Sequence, residues 1–499
     1  MKPKSLRQTE FEDFYLPFGG RLNSSNRWVV LAKKIPWDEF EDLYAANFAS
    51  SGQGAPAFNV RIALGALIIK EKLQLTDEEA VLQIEENPYL QYFLGLSEFR
   101  DARPFDPSMY VHFRKRFGED VLAEVNELIV KRALEQIKEP EAGDDQEPPV
   151  THKGKLLIDA TCAPSDIAYP TDLGLLNKAR EKTEAMIDTL HLPLIGKKAK
   201  PRTYRIKARK QYLSVAKKKS PGRKAVRKAI RQQLSHVHRN LKTIEKLSGE
   251  GGLSELGKRP YRDLLVISEL HRQQNLMFEQ RVHSVKDRII SISQPHVRPI
   301  VRGKAKAKTE FGAKVSASVV DGFCFADRIS FDAYNEGDDI PGQVEAFHRR
   351  YGHYPASVHA DKIYGNRKNR AYCKKLGIRL SGPKLGRPRK VTEANAEELK
   401  QEKRQLRQDE IDRIPVEGKF GQGKRRFGLG LIKSKLAETT KSSIHITFIV
   451  MNLEKWMEAI FSVLIWYCQE ILNGLRALVE ANEKAFNLQR AVLILKISG

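Results

Sequence analysis

Two aspartates stand where short apolar runs give out. In Lys155-Leu-Leu-Ile-Asp159-Ala-Thr-Cys-Ala-Pro164 an apolar run delivers Asp159 and is then cut off by proline; Pro355-Ala-Ser-Val-His-Ala-Asp361 repeats the pattern much later in the chain. A carboxylate at the exit of a buried strand is held in place and faces a sheet edge, a common location for chemistry. The plainer reading of each is a turn or cap aspartate. His359 lies two residues before Asp361 on the same strand face, and either approaches such a site or is a packed histidine.

For the two acids to meet, their strands must be neighbours, and the segments between them supply the means. Ala313–Val320 alternates with period two, Asp321-Gly322 makes a turn and Phe323–Phe331 returns, which predicts a hairpin. A helix over Asp338–Tyr351, capped by Asp338 or Asp339, precedes the Asp361 strand; a helix over Arg367–Lys375 and a strand from Ile378 follow it. Helices between parallel strands put the strands' carboxyl ends on one edge, where open sheets bind ligands. Asp159 and Asp361 are therefore expected side by side.

Upstream, Phe58–Leu73 reads as a core helix, Thr76–Glu79 as a capping box opening a second helix, and Asp106-Pro107 as the start of a basic one. Arg114, Lys115 and Arg116 on that last helix suit phosphates, in a helix-turn-helix module or simply as a solvated basic face. Val121–Lys138 continues as an amphipathic helix. Between Asp159 and the hairpin, the window Thr189–Ile244 holds no acidic residue and includes Lys217, Lys218 and Lys219; its spacing predicts long basic helices that contact DNA backbone. The chain thus divides into a helical, DNA-binding part (1–138), a linker (139–150), an α/β part (151–175 and 300–455), a basic helical insertion (176–299) and an apolar helical tail (456–499).

With 86 Lys and Arg against 62 Asp and Glu, the net charge of +24 calls for a polyanionic partner, nucleic acid before membrane. No apolar run reaches the roughly 18 to 20 residues of a spanning helix, and no secretory signal is evident, so a cytoplasmic location is expected. The four cysteines have no metal-ligand spacing and are expected to be reduced.

Asp159 with Thr161, then Ala360-Asp361-Lys-Ile-Tyr-Gly365, then Arg413-Ile-Pro-Val-Glu417-Gly-Lys-Phe-Gly-Gln-Gly-Lys424-Arg-Arg-Phe-Gly-Leu429 resembles the DDE transposases of bacterial insertion sequences. Ile444–Leu453 is similar to that family's closing helix, and Phe58–Phe117 to the helical domain that often precedes its core. The resemblance implies a ribonuclease-H-like α/β core in which Asp159 bridges two Mg2+ ions (Mn2+ possible), with Asp361 and Glu417 each holding one. Such an arrangement stabilises the attacking and leaving oxygens of phosphoryl transfer. It also implies that Arg413 and Lys424, with Arg425 beside it, position phosphates. The partners implied are double-stranded DNA, as terminal inverted repeats and target, and a second copy of the chain in a homodimer at the nucleoid. An inactive relative that only binds DNA, or a nuclease that cuts without joining, are the alternatives. Two departures stand out. Glu410 replaces a tyrosine frequent in the family. Glycines 418, 421, 423, 428 and 430 argue that the Glu417 segment is helical only in part, or only when docked.

Overall fold

The computed structural model describes residues 14–16, 20–46, 48, 56–137, 152–301, 309–387 and 389–462, with 469 and 472–473. The expected linker 139–150 and nearly all of the tail beyond 462 lie outside the described residues. No described helix is long and apolar enough to cross a membrane.

Seven helices come first: α1 (Arg27–Lys34), α2 (Trp37–Ala45), α3 (Val60–Leu73), α4 (Asp77–Glu86), α5 (Pro88–Phe93), α6 (Met109–Arg116) and α7 (Glu119–Ile137). Thr76 accepts from Glu79 N as read, which is half of the capping box, while Asp106 accepts from Ser108 N just ahead of α6 rather than capping it, and Asn59 caps α3 by accepting from Ile62 N. Strand β1 (Lys155–Pro164) then leads into α8 (Asp172–His191), α9 (Arg205–Ala216), α10 (Arg223–Gly251) and α11 (Lys258–Gln280), which enclose an apolar core of their own. After them come β2 (Arg298–Val301), β3 (Thr309–Val320), β4 (Phe323–Ser330), α12 (Ile340–Tyr351), β5 (Ser357–His359), α13 (Arg367–Lys375), β6 (Arg379–Leu380), α14 (Ala396–Arg426) and α15 (437–462).

The strands form one mixed sheet in the order β2-β3-β1-β5-β6, with β4 also paired to β3. The expected hairpin is present, its turn formed by Asp321 and Gly322 at φ of 51° and 82°, the twist a two-residue hairpin needs. β1 is central, antiparallel to β3 and parallel to β5. One face, with Leu157, Ala317 and Val319, packs on the N-terminal helices and α15 in a single continuous core. The other face, with Leu156, Ile158 and Val358, packs on α12 and α13.

The N-terminal helices are thus fused to the sheet. Asn452 of α15 donates to Asn126 Oδ1 of α7 at 2.9 Å and to Cys324 O of β4 at 2.8 Å, and accepts from Cys324 N. Buried polar groups satisfied across three elements fix their mutual placement.

Three expectations are corrected. β1 does not end at Asp159, because the residues from there to Pro164 keep their pairing with β3. Gly312 permits that approach: a Cβ there would lie 2.1 Å from Ala163 O. Asp339 does not cap α12; it is buried and accepts from Arg328 Nη1 at 2.9 Å, while Asp338 is exposed and Asn335 caps the preceding turn. The Glu417 segment is not helical only in part: it lies in one continuous 31-residue helix, α14, that is docked on the core. Gly428 and Gly430 lie beyond its end, and docking of Val416 and Phe420 into the core offsets the propensity lost at the three glycines inside it.

Candidate active site

Asp159 stands in mid-β1, just past the last pair that β1 forms with β5, Leu157 with His359. Asp361 follows two residues after that last pair, as Asp159 follows Leu157, and the charge of Asp361 acts on Asp159. β5 stops at His359, two residues short of Asp361. Asp361 is exposed and caps the short turn Lys362–Tyr364, its Oδ1 accepting from Lys362 N at 2.7 Å. Asp159 Oδ1 accepts from Ala160 N at 2.8 Å.

The third acid arrives on α14. Arg413 Nη2 lies 2.8 Å from Glu417 Oε1, and its Nη1 lies 3.9 Å from Asp159 Oδ2. One guanidinium therefore stands between the strand acid and the helix acid. Asp159 is 19% exposed at its side chain, Glu417 55%. Burial pushes the Asp159 carboxyl up to about 6, against the Ala160 N–H and Arg413, while Glu336 and Asp361 raise it further. A carboxyl driven toward neutrality among other acids, with only a distant guanidinium to compensate, has the electrostatic deficit that a hard divalent cation fills.

What aims α14 was not read from the sequence. Asp412 Oδ2 pairs with Lys155 Nζ at 2.7 Å at the start of β1, and Asp409 pairs with Arg379 of β6 at 2.9 Å. Between them His359 is fully buried, its Nδ1 3.7 Å from Asp409 and its Nε2 2.9 Å from Ser357 Oγ, so the packed reading of His359 holds. His359, Asp409 and Asp412 offer atoms close enough together to hold a metal. Both carboxylates already have cations, however, and the group acts as a clamp between helix and sheet. The signal was there in the spacing: Asp409, Asp412, Val416, Phe420 and Gly423 recur every three or four residues along one helix face.

The basic residues fall into two groups. Arg114 is buried and bonded to both oxygens of Asp77, at 3.0 and 2.6 Å, and Ser442 Oγ of α15 donates to its carbonyl. It is therefore committed inside the fold, a correction to its reading as a phosphate contact. Arg116 is half-buried over the Phe48 ring. By contrast Lys115, Arg425 and Lys217, Lys218 and Lys219 at the end of α9 are exposed. Lys424 is half-buried, seven residues after Glu417 and so about two turns along the same helix. Glu410 is exposed.

Residues 358–454 match the model of the transposase DDE domain, a span holding Asp361, Arg413, Glu417 and Lys424. Residues 17–116 match that of a transposase domain (DUF772). The chain belongs to the DDE transposases of insertion sequences. A relative from Rhizobium meliloti, the uncharacterized protein ORF8 in nfe locus, is 33% identical over 159 residues, 32% of this transposase and 71% of that protein. No solved structure gives a significant match.

Proposed function

We propose that this transposase cuts the ends of its insertion sequence and joins them to target DNA by phosphoryl transfer, on a ribonuclease-H-like core. The observation that carries the reading is the half-buried Asp159 carboxyl, with Arg413 standing between it and Glu417 and the charge of Asp361 acting on it. A central strand with an antiparallel meander on one side and parallel, helix-linked strands on the other supports the fold assignment.

Asp159, Asp361 and Glu417 would hold Mg2+, two ions, with Mn2+ able to replace it. The metal supplies stabilisation of charge on the attacking and leaving oxygens. Asp159 stays fixed by β1 and its bond from Ala160, Asp361 sits on a turn that holds its backbone, and Arg413 holds Glu417 toward the strand acids. Lys424, Arg425, Lys115 and the lysines at 217–219 bind the DNA backbone, the first two beside the reacting strand. DNA at the nucleoid and a homodimer that handles both ends complete the proposal.

The test is incubation with Mg2+ and a DNA carrying the element's terminal repeats, scoring nicks and joined products. Wild type is expected to give both; Asp159→Asn, Asp361→Asn and Glu417→Gln are expected to bind the DNA and give neither. Activity in all three variants overturns the assignment. Nicking without joining would make the protein a nuclease, and binding without nicking an inactive relative.

A further inference from the structure

The outward face of α14 carries a stripe that the three acids do not explain. Val416, Phe420 and Gly423 turn one side of the helix inward. At about 3.6 residues per turn, the opposite side runs through Lys403, Arg407, Ile411, Ile414, Gly418 and Arg425, and every one of them is exposed. No acidic residue falls within the stripe; Glu410 and Glu417 run along one margin of it. Lys403 and Arg407 form no ion pair among the described residues.

Between the cations the surface is uneven. Ile411 and Ile414 leave 49% and 60% of their surface to water in the middle of a basic face. One turn further on the helix is bare: a Cβ on Gly418 would meet nothing within 4 Å, and one on Gly421 only the Arg425 guanidinium, at 3.5 Å. Glu417 follows Ile414 by three residues, which makes the two side chains neighbours on the helix surface. The cations suit phosphates, and the bare turn lets a sugar–phosphate backbone come close to Glu417. An aliphatic tip gains nothing from a phosphate; at that approach the apolar surface left for it is that of sugars and base faces. A second copy of the chain fits the stripe less well, since a symmetric pairing about Ile414 would set Lys403 against Arg425.

We propose that Ile411 and Ile414 enter a groove of the DNA and part the base step beside the phosphate attacked at Glu417, with Lys403 and Arg407 to one side and Arg425 to the other holding the flanking phosphates. The proposal rests on the phosphoryl-transfer reading of the preceding section. Parting the step unstacks one base pair from the next and kinks the duplex, which frees the phosphate between them from the regular helix.

In the experiment the full chain binds a duplex that carries the element's terminal repeat, with the fluorescent base 2-aminopurine at the step next to the cut, before Mg2+ is added. Wild type is expected to raise the fluorescence severalfold. Ile411→Ala/Ile414→Ala is expected to keep its fold by circular dichroism, to lose most of that rise and, with Mg2+, to nick the duplex about tenfold more slowly. A duplex mismatched at the same step should restore nicking by this variant to within about twofold of wild type, because the opening is already made. Lys403→Ala/Arg407→Ala should instead weaken binding to both DNAs alike, with no rescue. Equal fluorescence for wild type and the isoleucine variant, or no rescue by the mismatch, overturns the proposal. So does a changed oligomeric state of the isoleucine variant in sedimentation, which would make the pair a contact between copies. Absence of nicking by wild type on either DNA overturns the phosphoryl-transfer reading, and the fluorescence still decides whether the isoleucines part the step.

Discussion

Asp159→Asn removes one charge and almost no volume, and it isolates the electrostatic cost stored at the site. Burial lifts the Asp159 carboxyl from 3.8 to about 6. A shift of about two units, at about 1.4 kcal/mol each, corresponds to about 3 kcal/mol; partial solvent access at the side chain trims this to about 2 to 3 kcal/mol. The sign follows from proton binding. Because the folded value lies above the unfolded one, the folded protein holds the proton more tightly between about pH 4 and 6, and this group's contribution to stability is lost as pH rises through that window. Above pH 6 the metal-free wild type carries the full penalty. Asparagine keeps an oxygen for the Ala160 N–H but cannot titrate, so the variant is expected to be more stable than wild type by about 2 to 3 kcal/mol at pH 7 and nearly equal to it at pH 4. Urea denaturation in the presence of a chelator, at half-unit steps from pH 4 to 8, measures the difference while titration of other groups cancels. Saturating Mg2+ should reverse the order at pH 7, because only wild type gains the binding energy. Parallel pH profiles for the two proteins would refute the buried-charge account of the site.

Other consequences follow from the packing. Gly418→Ala should stabilise α14 by up to about 1 kcal/mol, since nothing lies within 4 Å of the added Cβ, whereas Gly423→Ala should destabilise despite the same propensity gain, its Cβ meeting Met451 Sδ at 3.1 Å and Leu429 Cδ2 at 3.2 Å; urea midpoints separate the two. Asn452→Leu breaks a buried network joining α7, β4 and α15, and should cost about 2 to 4 kcal/mol in the same assay. Replacing Lys217, Lys218 and Lys219 by alanine should lower the slope of log binding constant against log salt by up to about three, read from DNA titrations between low and moderate salt, without altering stability.

Much of the sheet was legible because its signals are local. Period-two alternation with Asp321-Gly322 marks the β3–β4 hairpin, and the helix read over Arg367–Lys375 is present, with Asn366 as its cap. What escaped depends on residues far apart in sequence. Nothing near Asp159 reveals that β1 runs on to Pro164, since that is set by its pairing with β3. Arg114 looks like a surface cation until α6 meets Asp77 and α15, and the glycines of α14 look like helix breakers until α15 covers Gly423. Among the site residues, the two strand acids carried a local signature, while Glu417 was reachable only by resemblance. Asp409 and Asp412 lay unnoticed on α14, because their meaning comes from Lys155, His359 and Arg379.

The clamp explains how a helix with three glycines and a proline can carry a functional acid. Helix α14 does not owe its orientation to its own propensity; its length is held against the sheet at Lys155 and Arg379, and further along by Val416 and Phe420 in the core. Glu417 lies beyond the ion pairs, on an exposed stretch where Gly418 leaves open space beside it. Asp159 is thus fixed by strand pairing and Asp361 by the turn it caps, whereas the helix acid is fixed only through Arg413. That difference fits their burial: Asp159 is shielded and pays for it in a raised pKa, while Glu417 remains in contact with water and can change partners from Arg413 to an incoming cation without first being desolvated.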